Sequence, residues 1–306
     1  MPDNNQNASA GHKLGQIVGD WFEQYVVYNL LKRVSESLHL FLDCRFIERA
    51  CRPGKIIWED EEGNNVDYDF VLELEGSNDS FGDPVAFLEC FWRRGSRHSK
   101  DKARDDSGKL MPMRDAYPTA RFLGIVAAGE FTTPARELVR SRQIDLFYVP
   151  KEKIIEAFSS NNLTMDYPDR LAESEKARIV QNFENNFTEE NKLAVANTLF
   201  NLIGEASIRS YISRVESSLS ALPQEIRFVL RQDSEPVIFE TVESATLFLS
   251  NPQFIMDNPI ESYIYQVTFS DGHEFNYYSE NLNDINTVHK SVEKLVNHIN
   301  NLLSNN

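Results

Sequence analysis

Residues 84–104 read PVAFLECFWRRGSRHSKDKAR. The first nine, 84–92, follow a polar loop of Gly, Ser, Asn and Asp, which is how a buried β-strand is bounded. One acid, Glu89, interrupts the run. A carboxylate inside such a strand is costly unless it is paired or put to use, so Glu89 reads either as a site residue or as a solvent-facing one. Directly behind it come Arg93, Arg94, Arg97, His98, Lys100, Lys102 and Arg104, with Lys109 further along a helix expected within 99–113. Their interleaving with Asp101, Asp105 and Asp106 suits ion pairs on a solvated helix face as well as contact with phosphates.

Working outward, residues 66–74 (VDYDFVLEL) read as a strand on which Asp67 and Asp69 alternate and so share a face. Residues 121–128 (RFLGIVAA) have the continuous apolar character of a central strand buried on both faces. Thr133 with Pro134 starts a helix to 142, and 144–149 (IDLFYV) form a strand closed by Pro150. Upstream, the 3.6-residue recurrence of Ile17, Val18, Trp21, Phe22, Tyr25 and Val26 predicts a helix over 15–42 carrying Glu23, and 55–58 form a short strand. The order helix, strand, strand, strand, helix, strand, helix, strand defines a mixed α/β core (α+β by some schemes).

The expected organisation is a flexible tail over 1–14, the core over 15–158, a helical region over 159–225 and a small α+β region over 226–306. Helices fall at 170–183, at 189–222 (capped by Thr188 and stopped by Pro223), at 242–249 and at 284–303. Strands at 226–230 and 237–239 precede a hairpin over 262–280, where Asp271-Gly272 suits a type I′ turn.

Hydrophobic residues make up 41% of the 306, which supports a core and excludes wholesale disorder. No apolar run reaches the ~18–20 residues of a membrane span. The N-terminus lacks the apolar stretch of a secretory signal, and Cys44, Cys51 and Cys90 form no C-x-x-C pair. The expected setting is a reducing cytoplasm. The other histidines (His12, His39, His273, His289 and His298) show no zinc-ligand spacing. The net charge is −16, yet residues 89–153 hold 14 basic and 9 acidic side chains. A polyanion partner needs local rather than total positive charge, so acidity does not exclude DNA.

An Asp on one strand and a Glu on its neighbour can hold a hard divalent ion. Such an ion polarises a phosphodiester and lowers the pKa of an attacking water, while a nearby cation stabilises the developing charge. A helix with G-x-x-x-E (Gly19 to Glu23), a strand with Asp69 before F-V-L, and A-F-L-E with Glu89, followed by helix, strand, helix and strand, resemble the PD-(D/E)xK nuclease superfamily. The basic stretch WRRGSRHSKDKARDDSGKL looks most like type II restriction-endonuclease-like proteins. The resemblance covers about residues 15–158. It implies a restriction-endonuclease-like core, with a mixed four- to five-stranded sheet flanked by helices. It also implies Mg²⁺-dependent, site-specific cleavage of double-stranded DNA by a homodimer, leaving 5′-phosphates. By the resemblance Asp69 and Glu89 are the metal-binding catalytic acids and Glu23 is an accessory acid. Asp67 is a third candidate ligand, or a solvated neighbour. Arg93, Arg94, Arg97, His98, Arg104 and Lys109 are expected on DNA. The sequence departs at Phe91, where the family has a lysine. Lys100 or Lys102 is the candidate replacement, or Arg93 on the same strand face. Two other readings stay open: an inactive nuclease fold that binds DNA or assembles complexes, and a protein-interaction module using the acidic second half.

Overall fold

The computed structural model describes residues 10–168, 170–230, 235–251 and 262–304. Residues 1–9 of the expected tail lie outside these. Helix α1 (Ala10–Trp21) runs into a π-helical turn (Phe22–Val27) and then α2 (Tyr28–Ser37). The expected helix over 15–42 therefore ends early. His39 adopts a left-handed conformation (φ 50°), and the Leu40 amide donates back to the Ser35 carbonyl at 2.9 Å. This is a Schellman-type stop, made without glycine, and it frees Phe41–Cys44 to become strand β1.

Strands β2 (Ile56–Glu59), β3 (Asn65–Tyr68) and β4 (Phe70–Leu74) come next. The run 66–74 is thus two strands in two sheets. β3 pairs antiparallel with β2, β4 pairs antiparallel with β1, and Asp69 is the bend between them. Asp67 and Asp69 do not alternate on one strand, because two different pairing partners claim the two halves.

Strand β5 (Asp83–Arg93) leads to α3 (Ser99–Leu110), the short α4 (Met113–Ala116) and β6 (Phe122–Gly129). Helix α5 (Thr133–Ser141), β7 (Asp145–Pro150) and α6 (Lys151–Ser159) complete this half. The N-cap of α5 is Thr132 rather than Thr133, and Pro134 sits in the first turn, where its missing N–H has no helical partner to lose. The sheet order is β1-β4-β5-β6-β7, with β1 antiparallel to β4 and β6 parallel to β7. This five-stranded mixed sheet with flanking helices meets the coarse expectation.

The second half contributes α7 (Glu173–Asn186), α8 (Glu189–Ile203) and α9 (Glu205–Leu219). Thr188 caps α8 as expected, accepting from the Asn191 amide. The single helix expected over 189–222 is broken by Gly204 (φ 89°), which ends α8 in a conformation that disfavours a side chain. Pro223 opens a strand instead of stopping a helix. Strands β8 (Pro223–Val229), β9 (Val237–Phe239), β10 (Tyr263–Phe269) and β11 (Glu274–Ser279) form a sheet ordered β11-β10-β8-β9, accompanied by α10 (Val242–Leu249) and α11 (Leu282–Ser304). The hairpin is present, but its turn is not type I′, which needs positive φ at both central residues. Only Gly272 has it. The Gly272 amide bonds the Phe269 carbonyl and the Phe269 amide bonds the His273 carbonyl, both at 2.9 Å, giving a three-residue loop with a glycine bulge.

The residues gather into two compact units. One comprises residues 10–34, 88–107 and 124–213, and the other residues 35–87, 108–123 and 214–304. In the first, Trp21 meets Phe158 edge-on at 4.7 Å, and Phe158, Phe183 and Phe187 continue the cluster that joins α1, α6 and α7. In the second, a buried ionic network fixes β1 against β4. Arg49 donates to Asp43 (2.6 Å) and to Glu73 (3.1 Å), and Arg52 donates to Asp43 (2.9 Å). Burial opposes the Arg49 charge, yet its hydrogen bonds to Glu73 and Asp43 outweigh burial and raise its pKa. Arg49 also ties down the 75–82 loop through the Ser77 and Ser80 carbonyls.

Two stability outcomes follow from the second unit. Arg49→Met leaves the buried Glu73 without its cation and Asp43 with Arg52 alone, so urea unfolding should show a loss of about 3–5 kcal/mol. A loss below about 1 kcal/mol would show that β1 is held by something else. His289 is 3% exposed, between Tyr265 and Thr246, and burial lowers its pKa to about 4. The unfolded chain protonates it first, at about pH 6.5, so the neutral form's contribution is present above that pH and is lost as pH falls toward 4. His289→Gln should remove about 3 kcal/mol of acid destabilisation between pH 7 and 4, measured as the difference between two stability-versus-pH curves.

Candidate active site

β5 is buried from Pro84 to Phe91, and Glu89 within it is 2% exposed. Side chains alternate along a strand, so Glu89, Phe91 and Arg93 share one face. Phe91 packs edge-on against Phe131 at 5.1 Å between ring centroids. Beyond Arg93 the chain leaves the strand through Arg94 and Gly95 and re-enters helix at Ser99. The Ser99 hydroxyl donates to the Ser96 and Glu130 carbonyls, and His98 takes a left-handed φ of 62°.

Four cations, Arg93, Arg94, Arg97 and Lys102, together with Trp92 and the first turns of α1, line a cleft of about 460 Å³. No carboxylate is among its lining residues. Two of the cations are braced. Arg94 lies 3.8 Å over the Tyr167 ring, donates to the Tyr167 carbonyl and has Asp166 at 3.6 Å. Lys102 donates to the buried Asp106 at 2.6 Å, and its ammonium stands 5.4 Å from the Phe91 ring centroid. Arg93 and Arg97 have no side-chain hydrogen bond or ion pair among the described residues, and the Arg93 Nη1 is buried.

The other expected cations stand apart from this lining. Lys100 is exposed. His98 and Arg104 are exposed and turn to Asp101, at 3.1 and 3.4 Å. Glu23 is 7% exposed within the π-helical turn, a feature often found at functional positions and unmarked in the sequence. In the other unit, Asp69 is half-buried at its bend. Asp67 accepts from Lys55 at 2.8 Å and lies 3.9 Å from Lys109. The Lys55 hydrogen bond holds the Asp67 carboxyl below the usual carboxylate range. Lys109 also donates to the Asp67 carbonyl, so both are engaged with each other.

Among the described residues no group of three or more His, Cys, Asp or Glu is gathered to hold a metal ion. Mg²⁺ does not require one: it is bound through one or two carboxylates, with water and substrate phosphate completing the shell. Glu89 belongs to the first unit and Asp69 to the second, and each by itself is a hard oxygen donor of that type. No protein-family model, curated protein or solved structure matches the chain.

Sequence reasoning missed Trp92 and the α1 residues His12 and Gln16 as cleft walls, because only tertiary packing places them there. It also missed Gly129, whose φ is 95° and whose added Cβ would meet the Arg93 carbonyl at 2.0 Å. Gly129→Ala is therefore expected to destabilise by at least ~2 kcal/mol. Chemical denaturation checks this, and a loss under about 0.5 kcal/mol would contradict the close approach.

Proposed function

We propose that the chain is a Mg²⁺-dependent DNA endonuclease of restriction type. The observation that carries the reading is the sequence of groups along one strand: Glu89 is buried on the face that Arg93 shares, and Arg93 opens into a cleft whose charged walls are all cationic. An acid suited to a hard cation and cations suited to a polyanion follow one another within a few residues.

By the resemblance, Asp69 is the partner acid and Glu23 an accessory one. Asp67, engaged with Lys55 and Lys109, is the less suitable ligand. When bound, Mg²⁺ polarises the phosphodiester and lowers the pKa of the attacking water. Lys102 is a better substitute than Lys100 for the missing lysine, since its ammonium stands beside the Phe91 ring that occupies the lysine's position. Its role there is to offset the negative charge that develops on the phosphate. Arg93, Arg94 and Arg97 hold the backbone, which makes binding salt-sensitive. Each chain supplies one set of these groups, so cutting both strands of a duplex calls for a homodimer, and the cysteine pattern supports a cytoplasmic setting.

A second reading, an inactive nuclease fold that binds DNA, is favoured by Phe91 itself. Its ring is packed on Phe131, and the nearest ammonium is committed to Asp106. Supercoiled plasmid and genomic DNA, incubated with Mg²⁺ or EDTA, separate the two. The expected result is discrete Mg²⁺-requiring bands that fall at least ~100-fold in Glu89→Ala and Asp69→Ala, with DNA affinity kept. Undiminished cutting by Glu89→Ala would overturn the nuclease assignment. DNA binding without any cleavage would transfer it to the second reading.

A further inference from the structure

We infer that the cleft at the end of β5 takes an unpaired nucleotide of a single-stranded nucleic acid segment, with Trp92 as its stacking face and Arg93 and Arg97 on its phosphates. The inference rests on the nucleic-acid part of the function proposed above and differs from it in the strand state, a single strand in place of a duplex at this cleft.

Size is the first argument. A cleft of about 460 Å³ lies within the range of small-ligand sites, roughly 300–1,000 Å³. It can accept one nucleotide, and an unpaired one enters without the unstacking and unpairing energy that a base flipped from a duplex costs. Charge is the second. Four cations and no carboxylate line the cleft, in a chain whose net charge is −16. Arg94 and Lys102 are braced by Tyr167 and Asp106 and serve as walls. Arg93 and Arg97 have no side-chain partner among the described residues, and the buried Nη1 of Arg93 is an unmade donor. An unmade buried donor is destabilising, so an acceptor from outside belongs there.

The third argument is the aromatic. Trp92 is half-buried, and its ring is seated against Gly129, where an added Cβ would meet it at 2.7 Å. One edge is fixed by that contact while the residue still lines the cleft. Phe91 cannot serve the same purpose, because Phe131 and the Lys102 ammonium cover its ring. A half-buried tryptophan lining a cleft among cations suits the binding of single strands through stacking and backbone charge.

The test is fluorescence anisotropy at fixed salt with the full chain and an oligothymidylate of about 15 nucleotides, near the upper site size of one groove. A duplex of the same length runs in parallel, and an oligouridylate arm separates DNA from RNA as the source of the strand. The single strand should bind at least ~10-fold more tightly than the duplex. Trp92→Leu should lose about 10-fold on the single strand and little on the duplex, and Trp92→Phe should keep most of the affinity. Arg97→Glu should weaken binding to both.

Tryptophan emission gives a readout that does not depend on Trp92→Leu folding: quenching by oligothymidylate should saturate in the wild type and be largely lost in Trp92→Phe. Equal or tighter duplex binding, or equal quenching in Trp92→Phe, overturns the inference. Mg²⁺-dependent cutting by a chain that prefers duplex would refute this inference alone. Trp92-dependent single-strand binding without cutting would refute the nuclease assignment alone.

Discussion

The burial of one carboxylate sets the terms for everything built around β5. Glu89 is 2% exposed in a strand whose neighbours are apolar, and removing an ion from water costs several kcal/mol unless strong interactions compensate. The same chain solves that problem in another way at Asp43 and Glu73. There Arg49 and Arg52 supply dedicated hydrogen bonds, and the result is purely architectural: β1 is fixed to β4 and a loop is tied down. Glu89 is followed in its own strand by Arg93, which lines a cleft. The proposed function is one that uses both charges.

Local charge matters more than total charge in this chain. Under the proposed function a polyanion meets the chain in the 89–153 window, because excess acid elsewhere repels it. Within that window the cations divide by role. Arg94 and Lys102 are held by Tyr167 and Asp106 and keep their positions, while Arg93 and Arg97 are available to an incoming anion. His98 and Arg104 turn toward Asp101 on the exposed side of α3. A run of basic residues that looks uniform in the sequence is sorted by the fold into walls, contacts and helix-surface pairs.

Much of the fold was legible because it rests on local rules. The unbroken apolar run of β6, the bounded strand β5, the Thr188 cap and the strands of the β10–β11 hairpin follow from periodicity and composition. What was not legible depends on partners far away in sequence. His39 ends a helix in a conformation usually given to glycine, so nothing in the sequence marks the start of β1. The 66–74 run reads as one strand until two other strands compete for its halves. Gly204 was a visible warning inside a helical pattern, whereas the π-helical turn under Glu23 carries no sequence signal. At the candidate site the acids and cations were legible as residue types. The grouping of Arg93, Arg97, Lys102 and Trp92 around one cleft was not, because it needs the packing of α1 and the close approach at Gly129.

The proposed function requires Glu89 to take part in binding a divalent ion, and ion uptake tests that requirement more directly than turnover does. The measurement is a titration of the full chain with Mn²⁺ in place of Mg²⁺, with free ion followed by electron paramagnetic resonance, for the wild type and Glu89→Ala side by side. The account predicts saturable uptake by the wild type that Glu89→Ala loses while remaining folded. Equal uptake by the two proteins, or none by either, would contradict it.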